Sequence, residues 1–185
     1  MRQLGEWKSL KEIEWKLLSE LMKNSRRSDR ELAKAIGASQ PTSTRIRTKL
    51  EKEGYIKEYT IVPRFSKLGY HILALTFLKL EMKVSNEELE KVKKSVPEQL
   101  AKSQFGVVLL KTGMGLGFDS VIISFHEDYA SYDNFRSTIK KTTLADILDL
   151  QVFLINLDDE SRYLPLTFSI LANHMTKLKE KEQEK

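Results

Sequence analysis

The hydrophobic period of this chain changes near residue 70, so the chain cannot be a uniform helical bundle or an all-β sandwich. Before that point apolar residues recur every three or four positions, as one face of a helix requires. After it they alternate within strand-length runs. At 185 residues the chain has room for two small domains, each with its own core.

The first third reads as three helices. Ser9-Leu-Lys-Glu12 has the form of a capping box, followed by Leu10, Ile13, Leu17, Leu18 and Leu21 at helical spacing. Ser28-Asp-Arg-Glu31 opens a second helix with Leu32, Ala35 and Ile36, which Gly37 ends. Ser39 caps a third with Pro41 in its first turn, stopped by Gly54. Residues 55–62, Tyr55-Ile-Lys-Glu-Tyr-Thr-Ile-Val62, are expected to form two short strands, as in a wing, and 64–69 a hinge.

Strand, helix, strand, strand, helix and strand follow, at 71–80, from Ser85, at 107–112, 118–125, 131–141 and 148–157. The order is the ferredoxin-like one, with a glycine-rich loop joining the middle strands. The fold class is therefore α+β. A winged helix-turn-helix domain is expected over 1–64, a ferredoxin-like βαββαβ domain over 65–160, and an extra C-terminal helix with a charged tail over 161–185. Leu73, Leu75 and Phe77 oppose Ile72, Ala74 and Leu78, while Leu150, Val152 and Leu154 oppose Phe153, Ile155 and Leu157. The sheet's own helices cover one face, so an apolar second face implies another cover, most simply a second copy of the chain.

Charge separates along the same lines. The net charge is +5, yet residues 1–65 carry +6 and the rest −1. A basic head on a near-neutral body suits a polyanion. There is no cysteine, which excludes disulfides and thiolate chemistry and suits a cytoplasmic protein. No apolar run is long enough for a membrane span, so no membrane partner is expected.

A helix-turn-helix requires a positioning helix, a tight turn and a recognition helix that enters the major groove. Residues 28–36, 37–39 and 40–53 supply these in order, which makes double-stranded DNA the expected partner. Ile46 and Leu50 face inward, so Arg45, Thr48 and Lys52 face outward, flanked by Thr42, Thr44 and Lys49. Gln40, Thr42, Thr44, Arg45, Thr48 and Lys49 are the base-reading candidates, with Arg45 able to offer two donors to guanine. Arg26, Arg27, Ser28, Arg30, Ser39 and Lys57 are the phosphate candidates.

These residues carry a resemblance. The run Ser28-Asp-Arg-Glu-Leu-Ala-Lys-Ala-Ile-Gly-Ala-Ser-Gln-Pro-Thr42, with Leu50-Glu-Lys-Glu-Gly-Tyr-Ile-Lys57, Tyr59-Thr60 and Lys67-Leu-Gly-Tyr70, resembles the Lrp/AsnC, or feast/famine, regulators of bacteria and archaea. The resemblance covers residues 10–160. It implies homodimers built through the sheets, assembled further into tetramers or octamers, that bind palindromic promoter sites. It also implies an amino acid or related metabolite as effector, and no cofactor. Ser43 and Arg47 stand where the family has apolar residues. The segment Thr112-Gly-Met-Gly-Leu-Gly-Phe-Asp119 is longer than the family's effector loop, and the resemblance makes Gly113, Gly115, Gly117 and Asp119 its effector candidates.

Other signals are weaker. Gly113-Met-Gly-Leu-Gly117 joins strand to strand, whereas phosphate loops lead from a strand into a helix. His71, His126 and His174 are scattered, so neither a metal site nor catalysis is expected. Two alternatives use the same fold: a sirohaem-decarboxylase-like enzyme, and a chromatin-associated protein of low sequence preference. The enzyme would require histidines and basic residues converging on a large pocket.

Overall fold

The computed structural model describes residues 10–141, 145–159 and 166–183. The helices are α1 (Glu12–Lys23), α2 (Asp29–Ile36), α3 (Gln40–Lys52), α4 (Asn86–Ala101), α5 (Tyr129–Ile139) and α6 (Ser169–Gln183). The strands are β1 (Ile72–Met82), β2 (Gly106–Gly115), β3 (Phe118–His126) and β4 (Ala145–Asn156). The chain forms two compact units, Met1–Pro63 with Leu164–Lys185, and Arg64–Tyr163. No helix among the described residues is long and apolar enough to cross a membrane.

In the first unit the apolar stripes of α1, α2 and α3 meet around Leu17, Leu32 and Leu50, none of which has any exposed surface. Each such leucine contributes about 1.5–3 kcal/mol of burial. Ser28 accepts from the Glu31 N–H at 3.3 Å while the Glu31 carboxylate accepts from the Ser28 N–H at 2.7 Å, as the sequence pattern requires. Gly37 takes the left-handed conformation (φ 70°) that closes the helix. Residue 9 lies outside the described residues, and the first helix starts later than Ser9-Leu-Lys-Glu12 suggests. Its N-cap is Lys11, whose N–H donates to the Glu14 carboxylate at 2.8 Å.

The expected pair of strands over 55–62 is absent. The segment follows α3 without forming a ladder. Its N–H groups at Tyr55 and Ile56 turn back to the Leu50 carbonyl, at 2.9 and 3.2 Å. A two-residue hairpin favours glycine, asparagine or aspartate in its turn, and residues 55–62 contain none. The expected hinge is also folded. Phe65–Leu68 is a 3-10 turn, and the Phe65 ring stacks on Phe125 with centroids 4.0 Å apart.

The second unit is a four-stranded antiparallel sheet in the order β2-β3-β1-β4. Ala74, Leu78 and Ile122 pack beneath Tyr132 and Phe135 of α5. On the other face Leu75 sits opposite Ile123 on one side and Phe153 on the other. Phe153 is 63% exposed, so this face is open in the single chain. The glycine-rich stretch is a tighter hairpin than a loop. Gly115 pairs with Phe118, leaving Leu116 (φ 54°) and Gly117 (φ 81°) as the two positive-φ residues of a type I′ turn.

Candidate nucleic-acid interface

Helix α3 is held from three directions. Ser39 caps it, accepting from the Thr42 N–H at 3.4 Å. From α1, the Glu14 carboxylate accepts from the Lys49 ammonium at 2.8 Å. From α2, Asp29 pairs with Arg47 at 2.8 Å and accepts from the Thr44 hydroxyl at 2.7 Å. Beyond α3, the Tyr59 hydroxyl donates to Glu51 at 2.7 Å, and Glu51 lies 4.0 Å from Arg47. Burial first, then the hydrogen bond to Glu51 and its charge, push the Tyr59 hydroxyl up to about 12.

These braces sort the candidate residues. Arg45 and Thr48 are exposed on α3, and among the described residues no hydrogen bond or ion pair engages either side chain. Gln40 is exposed at the start of the helix, and its carbonyl accepts from Thr44 at 3.1 Å. Thr42 is half-buried, 2.9 Å from the Ser39 hydroxyl. Lys49 is engaged by Glu14, with Glu53 at 3.8 Å. Among the phosphate candidates, Arg27 pairs with Glu20 and Ser28 is engaged with Glu31. The side chains of Arg26, Arg30 and Lys57 are exposed and have no partner among the described residues.

Glu14 is the residue that sequence reasoning missed, although a signal was present. Leu10, Glu14, Leu17 and Leu21 form one stripe, so a carboxylate occupies an apolar position, and it is 4% exposed. Burial alone would raise its carboxyl. The hydrogen bonds from Lys49 and the Lys11 N–H, with the Lys49 charge, outweigh it and hold the group below 4.5. A depressed carboxylate stabilises the fold above its unfolded-state value, and that contribution disappears as pH falls through the folded value. Glu14→Gln is therefore expected to flatten part of the loss of melting temperature below about pH 4.5. Parallel thermal melts of both proteins check this, and identical acid slopes would contradict it.

Asp29 also accounts for the unusual Arg47. A half-buried guanidinium replaces apolar packing there with an ion pair to α2, while Ser43 beside it is fully buried. In the second unit, Asp119 accepts from the Leu80 N–H at 3.1 Å, and Gly113, Gly115 and Gly117 lie along the hairpin. Leu116, Gly117, Phe118, Phe77, Lys79 and Asp149 border a cleft of about 480 Å³ beside it. His71 and His126 are backbone neighbours, the His71 N–H donating to the His126 carbonyl at 3.0 Å, but their side chains have separate partners. His71 meets Asp158 at 2.9 Å, and His126 is buried against Ser124 at 2.8 Å.

Comparison with known proteins bears on both units. Residues 10–57 match the family model described as winged helix-turn-helix DNA-binding. An uncharacterised HTH-type transcriptional regulator of Pyrococcus abyssi is 37% identical over 75 residues, 40% of this chain and 50% of its own. The HTH-type transcriptional regulator LrpC of Bacillus subtilis is 36% identical over 84 residues, 45% of this chain and 56% of its own. The chain thus spans about half the length of these curated relatives. An AsnC family transcriptional regulator from Agrobacterium tumefaciens has a similar structure, with a TM-score of 0.67 at 20% identity over 88% of this chain and 99% of its own. A transcriptional regulator from Neisseria meningitidis, solved in complex with L-Met, reaches 0.66 at 18% identity with the same coverage. The helix-turn-helix sequence is thus similar to that of HTH-type transcriptional regulators such as LrpC, and the chain shares its fold with an AsnC family regulator.

Proposed function

We propose that this protein is a transcriptional regulator that binds DNA as a dimer or higher oligomer and reads bases with α3. The observation that carries this reading is Arg45. It stands exposed and unpaired on a helix braced by Glu14, Asp29 and Ser39, while its basic neighbours Arg47 and Lys49 are engaged within the unit. A pre-positioned guanidinium can give two donors to guanine O6 and N7. Gln40 and Thr48 are its companions, and Arg26, Arg30 and Lys57 are the cations for phosphates. The remaining candidates, Thr42, Thr44, Lys49, Arg27, Ser28 and Ser39, act through the capping, bracing and ion pairs within the unit.

The open apolar face around Leu75, Ile123 and Phe153 supports self-association, because an exposed patch of this kind is costly in a lone chain. For the effector, the cleft beside the hairpin supports an amino acid. Lys79 and Asp149 face each other across β1 and β4, offering a cation for a carboxylate and a carboxylate for an ammonium. Phe77 and Phe118 provide an apolar wall for a side chain. The L-Met in the Neisseria meningitidis regulator fits this chemistry.

Selection from a pool of randomised duplexes tests the reading. Wild-type protein should enrich an inverted repeat with half-site centres about 10 bp, or a multiple of it, apart. Phe153→Asp, on an exposed side chain, should sediment as a monomer and lose the paired half-sites. Enrichment of no motif would refute sequence-specific binding. A repeat still bound by monomeric Phe153→Asp would refute the dimer.

A further inference from the structure

The C-terminal helix belongs to the same compact unit as the helix-turn-helix, although most of the chain separates them. α6 lies against α1. The Ser19 hydroxyl, 2% exposed, donates to the Ala172 carbonyl at 3.0 Å. The Thr176 hydroxyl lies 3.0 Å from the Ser19 oxygen and 3.1 Å from the Ala172 carbonyl. Ala172 itself has no exposed surface. Ala172 and Thr176 fall at i and i+4, so one face of α6 makes the contact, with half-buried Met175 at i+3 on the same face. Small residues on both sides let the helices approach closely.

The two sides of α1 therefore have different tasks. Leu17 and Leu21 enter the core shared with α2 and α3, and Glu14 holds Lys49 of the recognition helix. Ser19 is covered from the other side by α6. Whatever fixes α1 also fixes the brace on α3. The division into units also means that the DNA-binding unit is joined to the sheet unit by two chain crossings, after Pro63 and before Leu164.

We propose that α6 is a positioning element of the DNA-binding unit. It clamps α1, and through Glu14 and Lys49 it steadies α3 without touching DNA. The steadying of a DNA-reading helix rests on the function proposed above, whereas the clamp on α1 does not.

Two variants test this. One ends the chain at Pro165; the other, Ala172→Glu, places a carboxylate in the closed contact and retains every basic residue of α6. Ala172→Ser fits the same space and serves as the control. Hydrogen exchange is read on peptides from α1, β1 and β3. Affinity for the duplex selected by wild type, or for random duplex if none is selected, is measured against salt. Both disruptive variants should exchange α1 amides about tenfold faster with β1 and β3 unchanged, which corresponds to roughly 1.4 kcal/mol. Affinity should fall by a similar factor, with the slope of log affinity on log salt unchanged because no phosphate contact is removed. Ala172→Ser should match wild type.

Unchanged α1 exchange in both variants overturns the clamp. Faster α1 exchange with wild-type affinity overturns the positioning role, as does a shallower salt slope in Ala172→Glu, which would make α6 itself a DNA contact. Should the wild-type chain bind no duplex at all, the DNA-binding reading fails, and the exchange data still decide the clamp.

Discussion

Replacing Arg45 with alanine is expected to lower affinity for the selected site by about 1–3 kcal/mol, roughly five- to 150-fold, with little change in binding to random duplex. The asymmetry follows from the two kinds of contact. A guanidinium that donates twice to a guanine edge discriminates between bases, whereas phosphate contacts fix register on any sequence. Arg45 is exposed and has no internal partner, so its loss removes nothing that holds the unit together. Arg30, equally exposed, gives the contrast, because its replacement should weaken all sequences alike. Competition titrations with selected and random duplexes at one salt concentration separate the two effects. An unchanged preference in Arg45→Ala would show that α3 meets DNA through another face.

The largest effect on stability is expected from Leu50→Ala. Leu50 has no exposed surface, sits in the core with Leu17 and Leu32, and its carbonyl accepts from Tyr55 and Ile56. Truncation leaves a cavity that three braced helices cannot fill by collapse, at a cost of about 2–5 kcal/mol. For a unit of this size each kcal/mol corresponds to about 4–8 °C. The sheet unit has its own core around Ala74, Leu78 and Ile122, so calorimetry should show one transition falling steeply while the other holds. Two transitions falling together would mean that the units do not melt independently.

Residues close in sequence carried most of the readable information. Ser28 with Glu31 and Ser85 with Glu88 marked helix starts because a reciprocal cap needs only a spacing of three. Leu75 and Phe77 against Ala74 and Leu78 marked a sheet with two apolar faces because strand side chains alternate. Contacts between distant residues left weaker traces. Glu14 broke an apolar stripe, yet its partner Lys49 is 35 residues away and could not be named from spacing. Ser19 and Ala172, 153 residues apart, carry no local signal of their contact.

The local misreadings have physical causes. Glycines at 113, 115 and 117 suggested a loop, but extended backbone admits glycine, and Leu116 takes a positive φ that its residue type disfavours. The β-prone run at 55–62 lacks a turn residue to fold it onto itself. In the candidate site, helix phase turned Arg45, Thr48 and Lys52 outward and put Lys49 beside them, with nothing to mark Lys49 as engaged. Only the three-dimensional placement of Glu14 separates the engaged lysine from the unpaired arginine.

The central claim is that α3 reads sequence, and one titration addresses it most directly. The affinity of the full chain for a duplex from its own promoter is compared with that for a shuffled duplex of equal length, at matched salt between about 50 and 200 mM. The account predicts that both affinities fall steeply with salt and that the promoter duplex stays at least a thousandfold tighter, near the lower bound for specific regulators. Equal affinities for the two duplexes at every salt concentration would contradict it.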